Sequence, residues 1–170
     1  MTTARTDHSG RPIGLPILLA VGIVVLAIDQ LTKALIVANM ALGASVGVIG
    51  DVIMLWHVRN EGAAFSLFQG GTLLFLVVTI VALGMIVYFH RAFAGRSLWL
   101  QALLGLILGG TLGNFIDRLR QGYVTDFVSV GFGNVRFPTF NVADSSIVVG
   151  IGILVVVLML LDRQQEAVTA

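Results

Sequence analysis

The chain of 170 residues is 57% apolar and only 11% charged, whereas a soluble domain carries roughly 25% charged residues. With a mean hydropathy of +0.98 there is too little polar surface to face water, so the composition marks an integral membrane protein. A net charge of +1 from ten dispersed Lys and Arg offers no basic stripe for nucleic acid, and the absence of cysteine removes disulfides, thiolate metal sites and a cysteine nucleophile.

A membrane-crossing helix needs about 20 mostly apolar residues. Four stretches are expected to qualify, near residues 13–41, 72–89, 98–116 and 142–161, within a single membrane domain over 1–170. The first passes through Asp29 and Lys33, and an uncleaved anchor fits it better than a signal peptide: the apolar run is too long for an h-region, and Leu42-Gly43-Ala44-Ser45 has serine where a lipoprotein cleavage box has cysteine. The connection 42–71 is β-like over Val46–Arg59, where Val52, Met54, Trp56 and Val58 would share one face. The connection 117–141 is similar over Tyr123–Phe137, with Gly131–Asn134 supplying a hairpin turn. The expected fold is therefore an all-α membrane protein of four transmembrane helices with a small β platform at one surface.

An even number of spans puts both connections on one face. Arg5, Arg11, Arg91, Arg96 and Arg163 fall in the short segments of the other face, and Arg59, Arg118, Arg120 and Arg136 in the longer ones. By density this places both termini in the cytoplasm and the platform outside.

Charged residues are costly inside a bilayer, yet Asp29, Lys33, Asn60, Asn114, Asp117, Arg118, Asp126, Asn141 and Asp144 collect by topology at the platform face. In the third span Gly105, Gly109 and Gly113 form a small-residue stripe for close helix approach, flanked by Gly110, Asn114 and Arg118. Plain packing with an interfacial Asp117–Arg118 pair accounts for the glycine stripe better than for Asn114 with Arg118. Asn141-Val142-Ala143-Asp144 reads as a capping box, Asp29 and Lys33 as an i, i+4 ion pair. A sharper possibility is that Asp126 and Asp144 meet, share one proton and activate water without a cofactor; spacing alone does not bring them together. His8, His57 and His90 are dispersed without an HExxH pattern, and no GxGD tetrapeptide occurs. A proton-coupled carrier would need polar residues through the depth of several spans, and a structural subunit leaves Asp126 and Asn60 without a role.

Five motifs in order resemble the lipoprotein signal peptidases (signal peptidase II), membrane aspartyl peptidases of bacteria: DQLTK at Asp29–Lys33, RNEGAAFS at Arg59–Ser66, GGTLGNFIDR at Gly109–Arg118, VTDF at Val124–Phe127 and FNVAD at Phe140–Asp144. Each is weak alone; the match runs in order over essentially the whole chain. Thr111 and Thr125 stand where the family often has Ala and Val. The resemblance implies that Asp126 and Asp144 are the catalytic aspartates and that Asp29, Lys33, Asn60, Gly110, Asn114, Arg118 and Asn141 support them and the substrate. It further implies prolipoprotein substrates carrying diacylglycerol on the cysteine after the cleavage point, contact with membrane lipids, sensitivity to globomycin-type inhibitors, a bacterial inner-membrane location and an active site near the outer face, with no metal or cofactor.

Overall fold

The computed structural model describes residues 14–62, 72–93 and 97–169, with the backbone alone at 72–74, 76 and 161–169. The described elements run α1 (Leu15–Asn39), β1 (Ser45–Ile49), β2 (Ile53–Asn60), α2 (Thr72–Ala92), α3 (Leu98–Gln121), β3 (Val124–Phe132), β4 (Val135–Arg136) and α4 (Val142–Thr169). The expected start near Ile13, residues 63–66 of the RNEGAAFS motif, and Arg5, Arg11 and Arg96 lie outside the described residues. Among the described residues three helical stretches are long and apolar enough to cross a membrane: Leu15–Asn39, Leu98–Gln121 and Val142–Leu160. The α2 helix has 21 residues, of which Val77–Ala92 is a shorter apolar stretch.

One stripe of α1, comprising Leu18, Gly22, Val25, Asp29, Lys33 and Ile36, is buried. Its helical spacing turns a single face inward, while Leu19, Ile23, Val24, Leu31 and Leu35 stay exposed. In lipid such outward apolar residues cost nothing, and helix association rests on packing and hydrogen bonds rather than on hydrophobic burial. The α3 helix supplies the close packing. A Cβ at Gly105 would lie 2.7 Å from the Leu18 carbonyl oxygen, and one at Gly109 would lie 2.7 Å from the Val25 Cβ. At Gly113 it would strike the Asp29 carboxylate. These glycines thus seat α3 on the buried stripe of α1. Gly110 faces the other way, against the Ala143 carbonyl of α4, so it packs helices rather than extending the polar stripe of Asn114 and Arg118.

The apolar core lies toward the start of α3, where Leu100, Leu103, Leu104 and Ile107 meet Leu18, Ile86, Phe93 and Leu154. Fully buried Gln101 closes this end through His90 Nδ1 at 2.7 Å. The polar end of the bundle is opposite. There α3 continues to Gln121, beyond the Ile116 at which its apolar run stops, and Gly122 ends it in the left-handed conformation at φ 82°.

The strands form one antiparallel sheet in the order β1-β2-β3-β4, with Gly133 (φ 52°) in the β3–β4 turn. Leu55 pairs with Val128 but Val58 with Asp126, so Trp56 and His57 together face one residue of β3. This bulge breaks the alternation expected for Val52, Met54, Trp56 and Val58. His57 turns inward, with its Nδ1 2.9 Å from the Met40 carbonyl oxygen, and Trp56 turns outward. Beyond the bulge Val58, Asn60, Val124 and Asp126 share one face. The Phe140 carbonyl accepts from the Phe127 and Val128 amides at 3.1 and 2.8 Å, which fastens the start of α4 beside Asp126.

Candidate active site

The N-terminus of α4 leaves backbone N–H groups without helical partners, and the site is assembled around them. Asn141 and Asp144 cap it reciprocally: the Asp144 amide donates to Asn141 Oδ1 at 2.9 Å, and the Asn141 amide to Asp144 Oδ2 at 3.1 Å. The Ala143 amide donates to Asp29 Oδ1 of α1 at 2.9 Å. Two carboxylates therefore sit at the positive end of the helix, where negative charge is favoured.

Lys33 fixes the neighbouring layer. Its ammonium carries three donors and meets Asp29 Oδ2 at 2.8 Å, Asp117 Oδ2 at 2.8 Å and Asn114 Oδ1 at 2.9 Å. Because the ammonium occupies Asn114 Oδ1, the Asn114 amide must turn its Nδ2 outward, and it donates to Asp144 Oδ1 at 2.7 Å. Asn141 is oriented by the same logic. Its Oδ1 is taken by the Asp144 amide, so its Nδ2 reaches Asp126 Oδ1 at 2.7 Å and Asn114 Oδ1 at 3.1 Å. Gln30 braces the cluster from α1, donating to Asp117 Oδ1 at 3.0 Å. The Asp117–Arg118 pair of the plain-packing alternative does not form: Asp117 is buried on the α1 side and bonded to Lys33.

On the strand side Asn60 Nδ2 donates to Asp126 Oδ2 at 2.8 Å, a diagonal pair across the β2–β3 ladder, and Asn60 Oδ1 accepts the Gly62 amide at 2.9 Å. Asp126 is 1% exposed. Burial pushes its carboxyl up to about 6, with the charge of Asp144 acting in the same direction and the amides of Asn60 and Asn141 opposing. Asp126 and Asp144 are thus bridged by two amides, Asn141 on one and Asn114 on the other, themselves hydrogen-bonded. Arg118 joins the edge of the network, donating to the Asn114 carbonyl at 3.3 Å with its guanidinium 4.3 Å above the Phe75 ring of α2.

The fold thus draws Asp29, Lys33, Asn60, Asn114, Asp126, Asn141 and Asp144 into one hydrogen-bonded network, with Arg118 at its margin and Gly110 behind it. Gln30 and Phe75 belong to this neighbourhood without having been singled out, and Asp117, placed in the polar layer by topology, was given no site role. Asp117 had a signal: it follows Asn114 by three positions and Gly113 by four, on the helical face that meets α1. Phe75, in an apolar run, had none. Among the described residues no group of three or more His, Asp or Glu could hold a metal ion, and every buried side-chain nitrogen or oxygen has a partner.

Apolar helices that close on a pair of amide-braced aspartates have the architecture of a membrane-embedded aspartic peptidase. The family model described as signal peptidase (SPase) II matches residues 21–160. The lipoprotein signal peptidase of Shouchella clausii is 41% identical over 149 residues, 88% of this chain and 97% of that protein. That of Staphylococcus carnosus is 40% identical over 158 residues, 93% and 99% of the two chains. A solved bacterial membrane enzyme superposes with a TM-score of 0.75 at 35% identity, covering 89% of this chain and 92% of its own. The chain belongs to the signal peptidase II family.

Proposed function

We propose that the protein hydrolyses the peptide bond that precedes a diacylglyceryl-modified cysteine in prolipoproteins, with Asp126 and Asp144 as the catalytic pair. The observation that carries this reading is the pair itself: two carboxylates from distant segments, joined by the Asn114–Asn141 amides, one of them buried and drawn toward the protonated form. One aspartate takes a proton from water, which attacks the scissile carbonyl. The other donates its proton to the carbonyl oxygen, and a proton then passes to the departing amine. Asn60, Asn114 and Asn141 orient the carboxylates, Asp29 and Lys33 hold the start of α4 and Asn114, Gly110 admits α4, and Arg118 faces the peptide.

In this reading α2 crosses the bilayer with α1, α3 and α4, giving four spans in one membrane domain. Both termini are cytoplasmic in a bacterial inner membrane, and the sheet lies at the outer face. The sheet-side polar layer and the arginines of the short opposite segments support that orientation. The substrate's signal helix and acyl chains then lie in lipid beside the spans, and its scissile bond reaches the acids at the interface. Cyclic peptides of the globomycin type would occupy the same cleft.

The test is cleavage of a diacylglyceryl-modified prolipoprotein by purified protein in detergent, followed by mass spectrometry. Asp126→Asn and Asp144→Asn are expected to fold and insert while losing turnover, and globomycin is expected to stop the parent. Product of the right mass from either variant would remove the pair from the mechanism.

A further inference from the structure

We infer that Asp117 is a positioning residue for both aspartates of the proposed pair, acting on Asp144 through Lys33 and Asn114 and on Asp126 through the Thr125 amide. The inference rests on the catalytic reading above. Charge pairing alone does not explain Asp117. Asp29 already pairs with Lys33 at 2.8 Å, and a second buried carboxylate on the same ammonium adds desolvation cost. What Asp117 adds is direction. The three donors of Lys33 are fixed by three acceptors, and the third is Asn114 Oδ1, whose orientation decides that an N–H rather than an oxygen faces Asp144. Its Oδ2 also lies 3.4 Å from the amide nitrogen of Thr125, the residue before Asp126, so one carboxylate links α1 to the strand that carries the other acid.

Asp117 does this from behind. A cleft of about 310 Å³ between α1 and α3 is lined by Lys33, Asp117, Arg120, Gln121 and Thr125, and neither Asp126 nor Asp144 lines it. The residue therefore acts through its neighbours, and a loss of alignment of about 1 Å costs on the order of 10²-fold in rate.

The experiment measures kcat and KM on a diacylglyceryl-modified prolipoprotein for Asp117→Asn, Asp117→Ala, Lys33→Met and the Lys33→Met/Asp117→Asn double variant, with Asp126→Asn alongside. Asp117→Asn leaves Lys33 paired with Asp29, so no cation is stranded. Its kcat is expected to fall by about tenfold or more with KM nearly unchanged, and the double variant should lose less than the product of the two single losses. Because the cleft is open, added formate should restore part of the kcat of Asp117→Ala and none of that of Asp126→Asn. An Asp117→Asn enzyme with kcat within about twofold of the parent, losses that multiply, or no response to formate overturns the inference. So does failure of both Asp117 variants to fold, which would assign the residue to stability. Activity in Asp126→Asn would instead overturn the catalytic reading.

Discussion

Asn141 does two jobs that can be separated by one atom. Its Oδ1 caps α4, and its Nδ2 bridges Asp126 and Asn114. Asn141→Ala removes both: about 1 kcal/mol for the cap, and about 1.5–3 kcal/mol for a hydrogen bond to a charged carboxylate. Asn141→Ser keeps the cap, because a serine hydroxyl can accept the Asp144 amide, but is too short to reach Asp126. If the bridge is fully expressed in the transition state, its loss corresponds to a factor of about 10 to 10² in rate. The serine variant should therefore recover about 1 kcal/mol of unfolding stability over alanine, while both stay at least about tenfold below the parent in kcat/KM. Denaturant unfolding in detergent micelles reads the first quantity, and initial rates on lipidated precursor read the second. A serine variant cleaving within about threefold of the parent would refute the claim that the amide bridge matters to turnover.

Replacing Gly109 by leucine forces a side chain against the Gly22 carbonyl oxygen, 2.5 Å from a Cβ there, and against Val25. Overpacking at this seam should cost about 1–3 kcal/mol or more, read as a lower unfolding midpoint in detergent, while Gly84→Leu, with open space around it, should be neutral. Asp126 has its pKa raised from 3.8 to about 6, so kcat/KM is expected to fall as pH rises through that region and the pair loses its shared proton. Asn60→Leu, which removes a donor favouring the carboxylate, should move that limb to higher pH; an unmoved or lowered limb would count against the assignment. The same raised value means that the Asp126 contribution to stability is greatest below pH 3.8 and declines until pH passes about 6. The stability of the parent relative to Asp126→Asn should therefore fall over that window, the neutral asparagine gaining on the ionising carboxyl, and a parent that gains on the variant as pH rises would contradict the burial of this group.

Much of this arrangement could be read along the chain, because lipid makes hydropathy a direct record of which stretches face hydrocarbon. The glycine stripe of α3, the ion pair of Asp29 with Lys33, the Asn141–Asp144 cap and the Gly133 turn are local, set by residues within a few positions of one another. Long-range choices were not legible. Lys33 takes Asp117 as well as Asp29 because α3 seats on α1 through Gly109 and Gly113, and that register is a property of the folded pair of helices. Hydropathy also marks the lipid slab rather than the helix: Asp117, Arg118, Arg120 and Gln121 are polar yet helical, and Gly122 is where the helix stops. The extra residue at Trp56–His57 reverses the strand alternation, since a single insertion exchanges every later side chain between faces. Without that reversal Asn60 would point away from Asp126.

Asp29, Asp117, Asp126 and Asp144 gather around Lys33 and Arg118, and both short ion-pair contacts of Lys33 go to Asp29 and Asp117. Arg118 bonds a backbone carbonyl and lies over Phe75 rather than closing on either aspartate of the proposed pair. The direct partners of Asp126 and Asp144 are therefore neutral amides, which hold the carboxylates in place, while the charges of Lys33 and Arg118 act on them from beyond ion-pair contact. Asp126 is buried and Asp144 half-buried, and a buried carboxyl with no cation in contact favours its protonated form, as the raised value of Asp126 records. Placing a lysine at Asn60 would bring a cation against Asp126, and the physical expectation is a carboxyl that ionises and no longer has a proton to give: a better-balanced site, and a slower one, read as a lower kcat/KM on lipidated precursor.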